Sequence, residues 1–556
     1  MINNPKQPQL KIIPLGGSSM VNKNMFVYEC GKDIVIVDCG IGFPESEQLG
    51  VDVVIPDINY LKNKLDKIRG IVITHGHEDH FGALPYLLKD LGNPPIFASK
   101  LVRGLIQVKL EEFNLLKGAQ INQIDPEDNS FSLGQFEFTP FRVNHSVPDS
   151  LGFFIRTPLG NLVHVSDFKF DWTPVDGKFF DVAKLVKLTS QAPVRCLLSD
   201  CLGATSRGYT KSERFIQHSF EHELDRAPGQ IFISTVSSNI SRIQQAINAA
   251  LKYGRKVAFL GLSIERNAEV AQNLGYLKIP PGTIVNSRTV HKYADNQLLI
   301  IIAGSYGQEN SALSRLAEGS HRLISLKPGA VVVFSADPIP GVYDQVGRVI
   351  DKLTEKGARV VYSEIQENLH VSGHGSQGDL SLLAALVRPN HFVPIGGNPR
   401  HMRAYTNLIA KMNFDKNKIL ELSSGDGIVI TPNQIKVKKL ISLSNIFVDG
   451  SQVGDVGAVV LRDRQILSEE GIFVIIVKKD KNGKFKKSVN IVSRGFVYMA
   501  ISEQLIKKAE KLVQEVIEDK KTSSWNSVRT RIEKRIADFL YRKTQRNPMV
   551  VVVLVD

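Results

Sequence analysis

Short apolar runs dominate the first two hundred residues. Those at 10–15, 25–29, 34–37, 71–74 and 136–141 are strand-length and separated by Gly- and Pro-containing stretches. Such runs predict a β-rich layered domain with few long helices. One helical pattern follows Asp79, where Ala83, Leu84, Leu87, Leu88 and Leu91 recur at spacings of three and four. From about Thr210 the texture changes to strand patterns at 230–235, 256–260, 297–303 and 330–335, with helical patterns at 240–250 and 265–274. Strands alternating with helices predict βαβ units and a parallel sheet. A strand at 357–362 then opens a stretch expected to be β-rich again through about Pro432. A different α/β segment follows from about Gly450, with helical stretches at 503–521 and 527–542.

Composition narrows the class. The 556 residues are 43% hydrophobic and 22% charged, which excludes a disordered chain. No apolar run approaches the roughly 18 residues of a membrane helix, so no membrane partner is expected. The first ten residues are polar and Pro-containing, unlike a signal peptide. Four cysteines without a CxxC pair argue against a disulfide framework, and a cytoplasmic location is expected. Cys30, Cys39, Cys196 and Cys201 lie in or beside apolar strands and read as small core residues. A net charge of +13 points to an anionic partner without identifying it.

The chemistry concentrates in Thr74-His75-Gly76-His77-Glu78-Asp79-His80, directly behind an apolar strand. A turn leaving a strand presents His75 and His77 to one cation, while Asp79 and His80 reach a second. Imidazole nitrogen and carboxylate oxygen are donors that zinc accepts. An exposed polar loop is the plain alternative, and three His with an Asp in six residues argue against it.

This HxHxDH motif resembles that of the metallo-β-lactamase superfamily, whose fold is an αββα sandwich holding two metals. His145 in Asn144-His145-Ser146-Val147-Pro148-Asp149-Ser150 fits its third motif, and Asp167 in Ser166-Asp167-Phe168-Lys169-Phe170-Asp171 its bridging Asp. Asp38 fits the early Asp that braces the ligand loop. Together with Lys23-Asn24-Met25 and the 49–57 segment, these stretches resemble ribonuclease J, a bacterial group of β-CASP nucleases. The implied fold class is α/β: a metallo-β-lactamase sandwich at 1–208 and 357–432, an inserted β-CASP α/β domain at 209–356, a linker at 433–449 and a small C-terminal α/β domain at 450–556.

The resemblance also implies roles. His75, His77 and His145 would hold one zinc; Asp79, His80 and Asp167 the other, with Asp167 bridging. Asp79 would also orient the attacking water. His370-Val371-Ser372-Gly373-His374 resembles the loop that holds phosphate, with His370 and His374 assisting the leaving group. Ser237, Ser238 and Asn239 fall where the β-CASP domain contacts terminal phosphate, although strand-end Ser and Asn are commonly helix caps. Asp200, in Leu198-Ser199-Asp200, would support the site from behind the ligands.

The sequence also departs from the family pattern. Gly396 stands where the last metal-ligating His is expected, so the second zinc site is expected to be weakened. His391 and His401 are spaced to point elsewhere. Asn398 replaces a Glu, Leu262 an Arg, Ser241 a His, Gln308 a Glu, and Val342-Tyr343 an Asn-Glu pair. The leading expectation is a metal-dependent ribonuclease, 5′-to-3′ exonucleolytic with endonuclease activity, in rRNA maturation and mRNA decay. The alternative is a weakly active or inactive subunit, a divergent second paralogue, that binds RNA or an active paralogue. RNA is the expected partner, with a homo-oligomer or a paralogue complex. A small-molecule hydrolase is disfavoured by the insertion and the His370–His374 loop. Of the net charge, +11 falls between Lys478 and Arg546, so the C-terminal segment is a candidate for RNA or partner contact, although Lys-rich helices are commonly solvated faces.

Overall fold

The computed structural model describes residues 8–45, 47–336, 342–450, 452–480, 485–497, 503–519 and 524–555. The early apolar runs pair into two facing sheets. The first has eight strands, in the order Ile435–Lys439, Asp426–Ile430, Leu10–Gly16, Met25–Cys30, Asp33–Val37, Ile68–Val72, Ile96–Ser99 and Ile121–Ile124. The second has six, in the order His391–Ile395, Val194–Asp200, Asn161–Val165, Leu151–Arg156, Phe136–Arg142 and Phe131–Leu133. Their inner faces share one core, with Val35, Val37 and Val72 meeting Phe136, Phe138, Phe153 and Leu198.

Helices cover the outer faces. Val182–Gln191, Gln377–Val387 and Pro399–Lys411 bury Leu185, Leu383 and Met402 with Phe154, Val163 and Leu197 of the second sheet. Lys100–Glu112 packs on two strands of the first. The result is an αββα sandwich.

Two local expectations are corrected here. The 357–432 stretch is not predominantly β: the helices Gln377–Val387 and Pro399–Lys411 outweigh its three short strands, because Leu380, Leu383, Ala384 and Val387 recur at helical spacing and all face the core. The pattern after Asp79 is two short helices, Glu78–Phe81 and Leu84–Leu87, rather than one, and Pro85 sits at the start of the second.

The segment inserted between the halves of the sandwich builds a parallel sheet, in the order Ile284–Val285, Lys256–Leu260, Leu298–Ile302, Ile231–Ser234, Val331–Phe334 and Arg359–Val361. From Ile231–Ser234 the chain runs through the helix Ile240–Lys252 to one side of the sheet; from Leu298–Ile302 it runs through Ala312–Glu318 to the other. The two connections thus leave in opposite directions from the carboxyl ends of the central strands, the end at which open α/β sheets bind ligands. Those ends meet the 369–374 loop of the sandwich: Ser335 Oγ donates to the Leu369 carbonyl at 2.6 Å.

Among the described residues, those within 1–43 and 54–446 form one compact unit, and those within 44–53 and 447–556 a second. In the second, the strand Ile472–Lys479 lies between Phe485–Arg494 and Met549–Val555. The helices Glu503–Glu518 and Trp525–Thr544 bury Val513 and Ile532 with Phe473 and Ile475. Arg464 donates to the Leu49 carbonyl at 2.9 Å, tying in the 44–53 segment. Residues 520–521, the end of the helical stretch expected at 503–521, lie outside the described residues. All four cysteines are free and buried. Among the described residues, no helix is long and apolar enough to cross a membrane.

Candidate metal centre

The ligand loop is built on Asp38. This residue leaves the strand Asp33–Val37 with φ +64° and is fully buried. Its Oδ1 accepts from the Thr74 backbone N–H at 2.8 Å, and its Oδ2 lies 2.9 Å from Thr74 Oγ1 and 2.8 Å from His80 Nδ1. One carboxylate thus sets both ends of the His75–His80 segment.

Hydrogen-bond partners fix which imidazole nitrogens carry protons. Thr74 gives its hydroxyl proton to Asp38, so its oxygen accepts from His75 Nδ1 at 3.0 Å. His145 Nδ1 donates to the Gly373 carbonyl at 2.8 Å. His80 Nδ1 donates to Asp38, and His374 Nδ1 to Asp200 Oδ2 at 2.7 Å. In their neutral forms, all four histidines therefore turn a bare Nε2 inward. The four Nε2 atoms lie 3.4, 3.5, 3.6 and 3.8 Å from Asp167 Oδ2, for His75, His80, His145 and His374 respectively. His77 completes the ring with the other nitrogen: its Nδ1 is 3.2 Å from His75 Nε2 and 3.0 Å from His145 Nε2, while Ser146 Oγ meets its Nε2 at 3.1 Å. Lone pairs converging on a buried carboxylate require cations, and this donor set suits zinc.

The ligand atoms of His75, His77, His145 and Asp167 all lie within 4.8 Å of one another, as do those of Asp167, Asp200 and His374. Burial, then the neighbouring His75, holds His77 well below the ordinary imidazole value; burial, then His77, does the same for His145. Both stay neutral and able to ligate. At His80 burial opposes charge but is outweighed by Asp167, Asp79 and Asp38, which raise its pKa well above the usual range. At His374 burial is likewise outweighed, by Asp200 and then Asp167, lifting it to about 9. Asp167 is held well below the carboxylate range, because His80 and His374 overcome the effect of burial. Without metal, protons on His80 and His374 supply the positive charge the cluster needs.

Asp79 sits at the mouth of the cluster, its Oδ2 3.6 Å from His80 Nε2 and 3.3 Å from Asn24 Nδ2. Gly396 has φ +67°, and a Cβ there would stand 3.5 Å from Asp200 Oδ1 and 3.8 Å from Asp167 Oδ1. The position expected to supply a ligand therefore borders the cluster and offers no donor. His401 does not replace it: its Nδ1 lies 3.2 Å from the Asn398 backbone nitrogen and its Nε2 3.2 Å from Arg400 Nε, so its ring is engaged with its own helix start. His391 opens its strand, half-buried and distant in role.

The His370–His374 loop closes over the same centre. Its Gly373 carbonyl holds His145, and exposed Ser372 accepts from the His374 backbone N–H at 3.0 Å. Asn239 is committed elsewhere. Its side chain caps the helix Ile240–Lys252 by accepting from Arg242 N at 3.0 Å and donates to Glu213 at 3.4 Å. Ser238 is buried beside it and Ser237 is half-buried.

The sequence assigns no role to several supporting residues: Thr74, Asn24 and Ser146, which lie within its motifs, and Arg242 and Glu213, which do not. Thr74 and Ser146 adjoin ligands in the chain, which was the available signal. Nothing local marks Arg242.

Comparison with known proteins agrees with this arrangement. Sequence profiles match for the metallo-beta-lactamase superfamily at residues 20–193, the ribonuclease J beta-CASP domain at 228–353, the Zn-dependent metallo-hydrolase RNA specificity domain at 357–419 and the ribonuclease J C-terminal domain at 459–556. The chain is 36% identical to ribonuclease J 1 of Streptococcus pyogenes serotype M3, over 98% of this chain and 97% of that one. It is 35% identical to ribonuclease J2 of Bacillus subtilis, over 98% of each, and 37% identical to ribonuclease J of Thermus thermophilus, over 99% and 96%. A solved structure of an Enterococcus faecalis protein of unknown function, 15% identical with a TM-score of 0.53, covers 76% of this chain and all of its own length, and shows shared fold alone. Full-length relatives at these identities, with all four profiles in order, place this chain in the ribonuclease J family.

Proposed function

We propose that the protein, a metal-dependent ribonuclease, uses two zinc ions to hydrolyse RNA from the 5′ end and also internally, in rRNA maturation and mRNA decay in the cytoplasm. The observation that carries this reading is the convergence of four imidazole Nε2 atoms on Asp167 Oδ2. His75, His77 and His145 would hold one ion, and Asp79 and His80 the other, with Asp167 between them. When bound, zinc supplies Lewis acidity, lowering the pKa of water and offsetting charge on phosphate oxygens. The residues of the chain do the rest. Asp79, at the mouth, orients the attacking water. Ser372 and the backbone around Gly373 hold phosphate, with His370 and His374 at the ends of that loop attending the leaving oxygen. Ser237 and Ser238, which follow the carboxyl end of a central strand, would contact the terminal phosphate.

Gly396 favours a second reading, a weakly active subunit that binds RNA and associates with itself or with an active paralogue. Digestion of 5′-monophosphorylated RNA by the purified protein distinguishes the two. The first reading expects cleavage that a chelator stops, zinc restores and His77→Ala abolishes. Cleavage only after an active paralogue is added, or after Gly396→His, would establish the second.

A further inference from the structure

Asp200 does for His374 what Asp38 does for His80. The carboxylate oxygens lie 2.7 and 2.8 Å from the respective Nδ1 atoms, and Asp38 and Asp200 are almost fully buried. A carboxylate that takes the Nδ1 proton fixes the tautomer, aims the ring and raises the basicity of Nε2, the usual support for a metal-ligating histidine. The two Nε2 atoms then approach the same oxygen, Asp167 Oδ2, at 3.5 and 3.8 Å. Asp167, Asp200 and His374 bring their ligand atoms within 4.8 Å of one another, and Gly396 borders this group without offering a donor.

We propose that His374, braced by Asp200, is the fourth protein ligand of the second cation, completing Asp79, His80 and Asp167 in place of the imidazole absent at position 396. The proposal rests on the metal-dependent reading of the centre. It changes the division of labour in the His370–His374 loop. A ligating His374 has no proton to give from Nε2, which leaves His370 as the loop's proton donor. The second site is thereby completed by a residue from another loop, not left to water.

The test uses the full chain, stripped with a chelator and titrated with Zn2+. Bound metal is read by mass spectrometry after desalting and by calorimetry. Wild type is expected to bind two zinc ions and His374→Ala one. Asp200→Asn should retain the second ion with roughly 10- to 100-fold weaker affinity, the usual effect of removing such a brace. Gly396→His combined with His374→Ala should recover two. Should His374→Ala fail to fold, Asp200→Asn and the visible absorption of the Co2+-loaded protein, which reports the number of nitrogen ligands, decide the matter. Two zinc ions held as tightly by His374→Ala as by wild type, or only one in wild type, would overturn the proposal and leave metal dependence standing. No zinc in wild type would overturn both.

Discussion

Arg242 Nη1 lies 3.0 Å from His370 Nδ1, joining a helix of the inserted domain to the His370–His374 loop of the sandwich. Arginine only donates, so Nδ1 is the acceptor and Nε2 keeps the proton. The guanidinium is buried, donates also to the carbonyls of Ser335 at 2.6 Å and Val371 at 3.2 Å, and pairs with Glu213. Lys169, itself buried, approaches Glu213 at 3.6 Å from the sandwich side. The seam between the two domains is therefore a buried charge cluster that holds His370 in one tautomer.

Removing one partner from such a cluster strands the other. Arg242→Ala should lower stability by about 3–5 kcal/mol, the usual cost of a buried pair broken from one side. RNA cleavage should fall along with it. Arg242→Lys keeps the charge without the planar fork, so it should recover part of the stability while leaving His370 unheld. Thermal melts and cleavage rates check both. An Arg242→Lys variant as active as wild type would contradict a role in positioning His370.

Asp38→Asn tests the other brace. The amide keeps one acceptor but meets His80 Nδ1–H and the Thr74 groups with a poorer, uncharged partner. Zinc affinity is expected to fall roughly 10- to 100-fold, measured by competition with a chromogenic chelator.

Gly373→Ala should perturb the proposed metal site of His75, His77 and His145 through shape alone. A Cβ at Gly373 would lie 2.6 Å from His145 Cε1 and 2.8 Å from its Nδ1, so the imidazole must move. Zinc affinity at the site of His75, His77 and His145 should drop about tenfold or more, with little change in the melting temperature of the metal-free protein.

His164 predicts an acid sensitivity separate from the metal. It is fully buried, its Nδ1 is 2.8 Å from Tyr28 Oη, and burial lowers its pKa to about 4. In the unfolded chain it titrates near the usual 6.5, so below that pH the unfolded state takes up a proton that the folded state refuses. Stability therefore falls with falling pH between about 6.5 and 4, and the share of His164 is about 2 kcal/mol between pH 7 and pH 5. Urea unfolding of metal-free His164→Gln should lose about that much less over the same interval.

Residue type, local spacing and family resemblance made the centre legible. His75, His77, Asp79 and His80 lie so close in the chain that any fold placing a turn behind an apolar strand gathers them. His145, Asp167 and the His370–His374 loop carry no such local spacing and became readable only through their resemblance to known motifs. The helices at 377–387 and 399–411 were missed because their apolar positions lie among strand-length runs, and only packing against the second sheet shows which period prevails.

The sequence by itself determined the donor types, the alternating strand and helix of the insert, and the missing imidazole at Gly396. The tertiary structure alone decided which nitrogen of each histidine faces inward, because that depends on partners distant in the chain: Asp38 for His80, Gly373 for His145, Asp200 for His374. It also decided that Arg242, unremarkable in its helix, reaches His370 128 residues away. A proton's position on an imidazole is set by the hydrogen bond its other nitrogen makes, and no local pattern of residues encodes that.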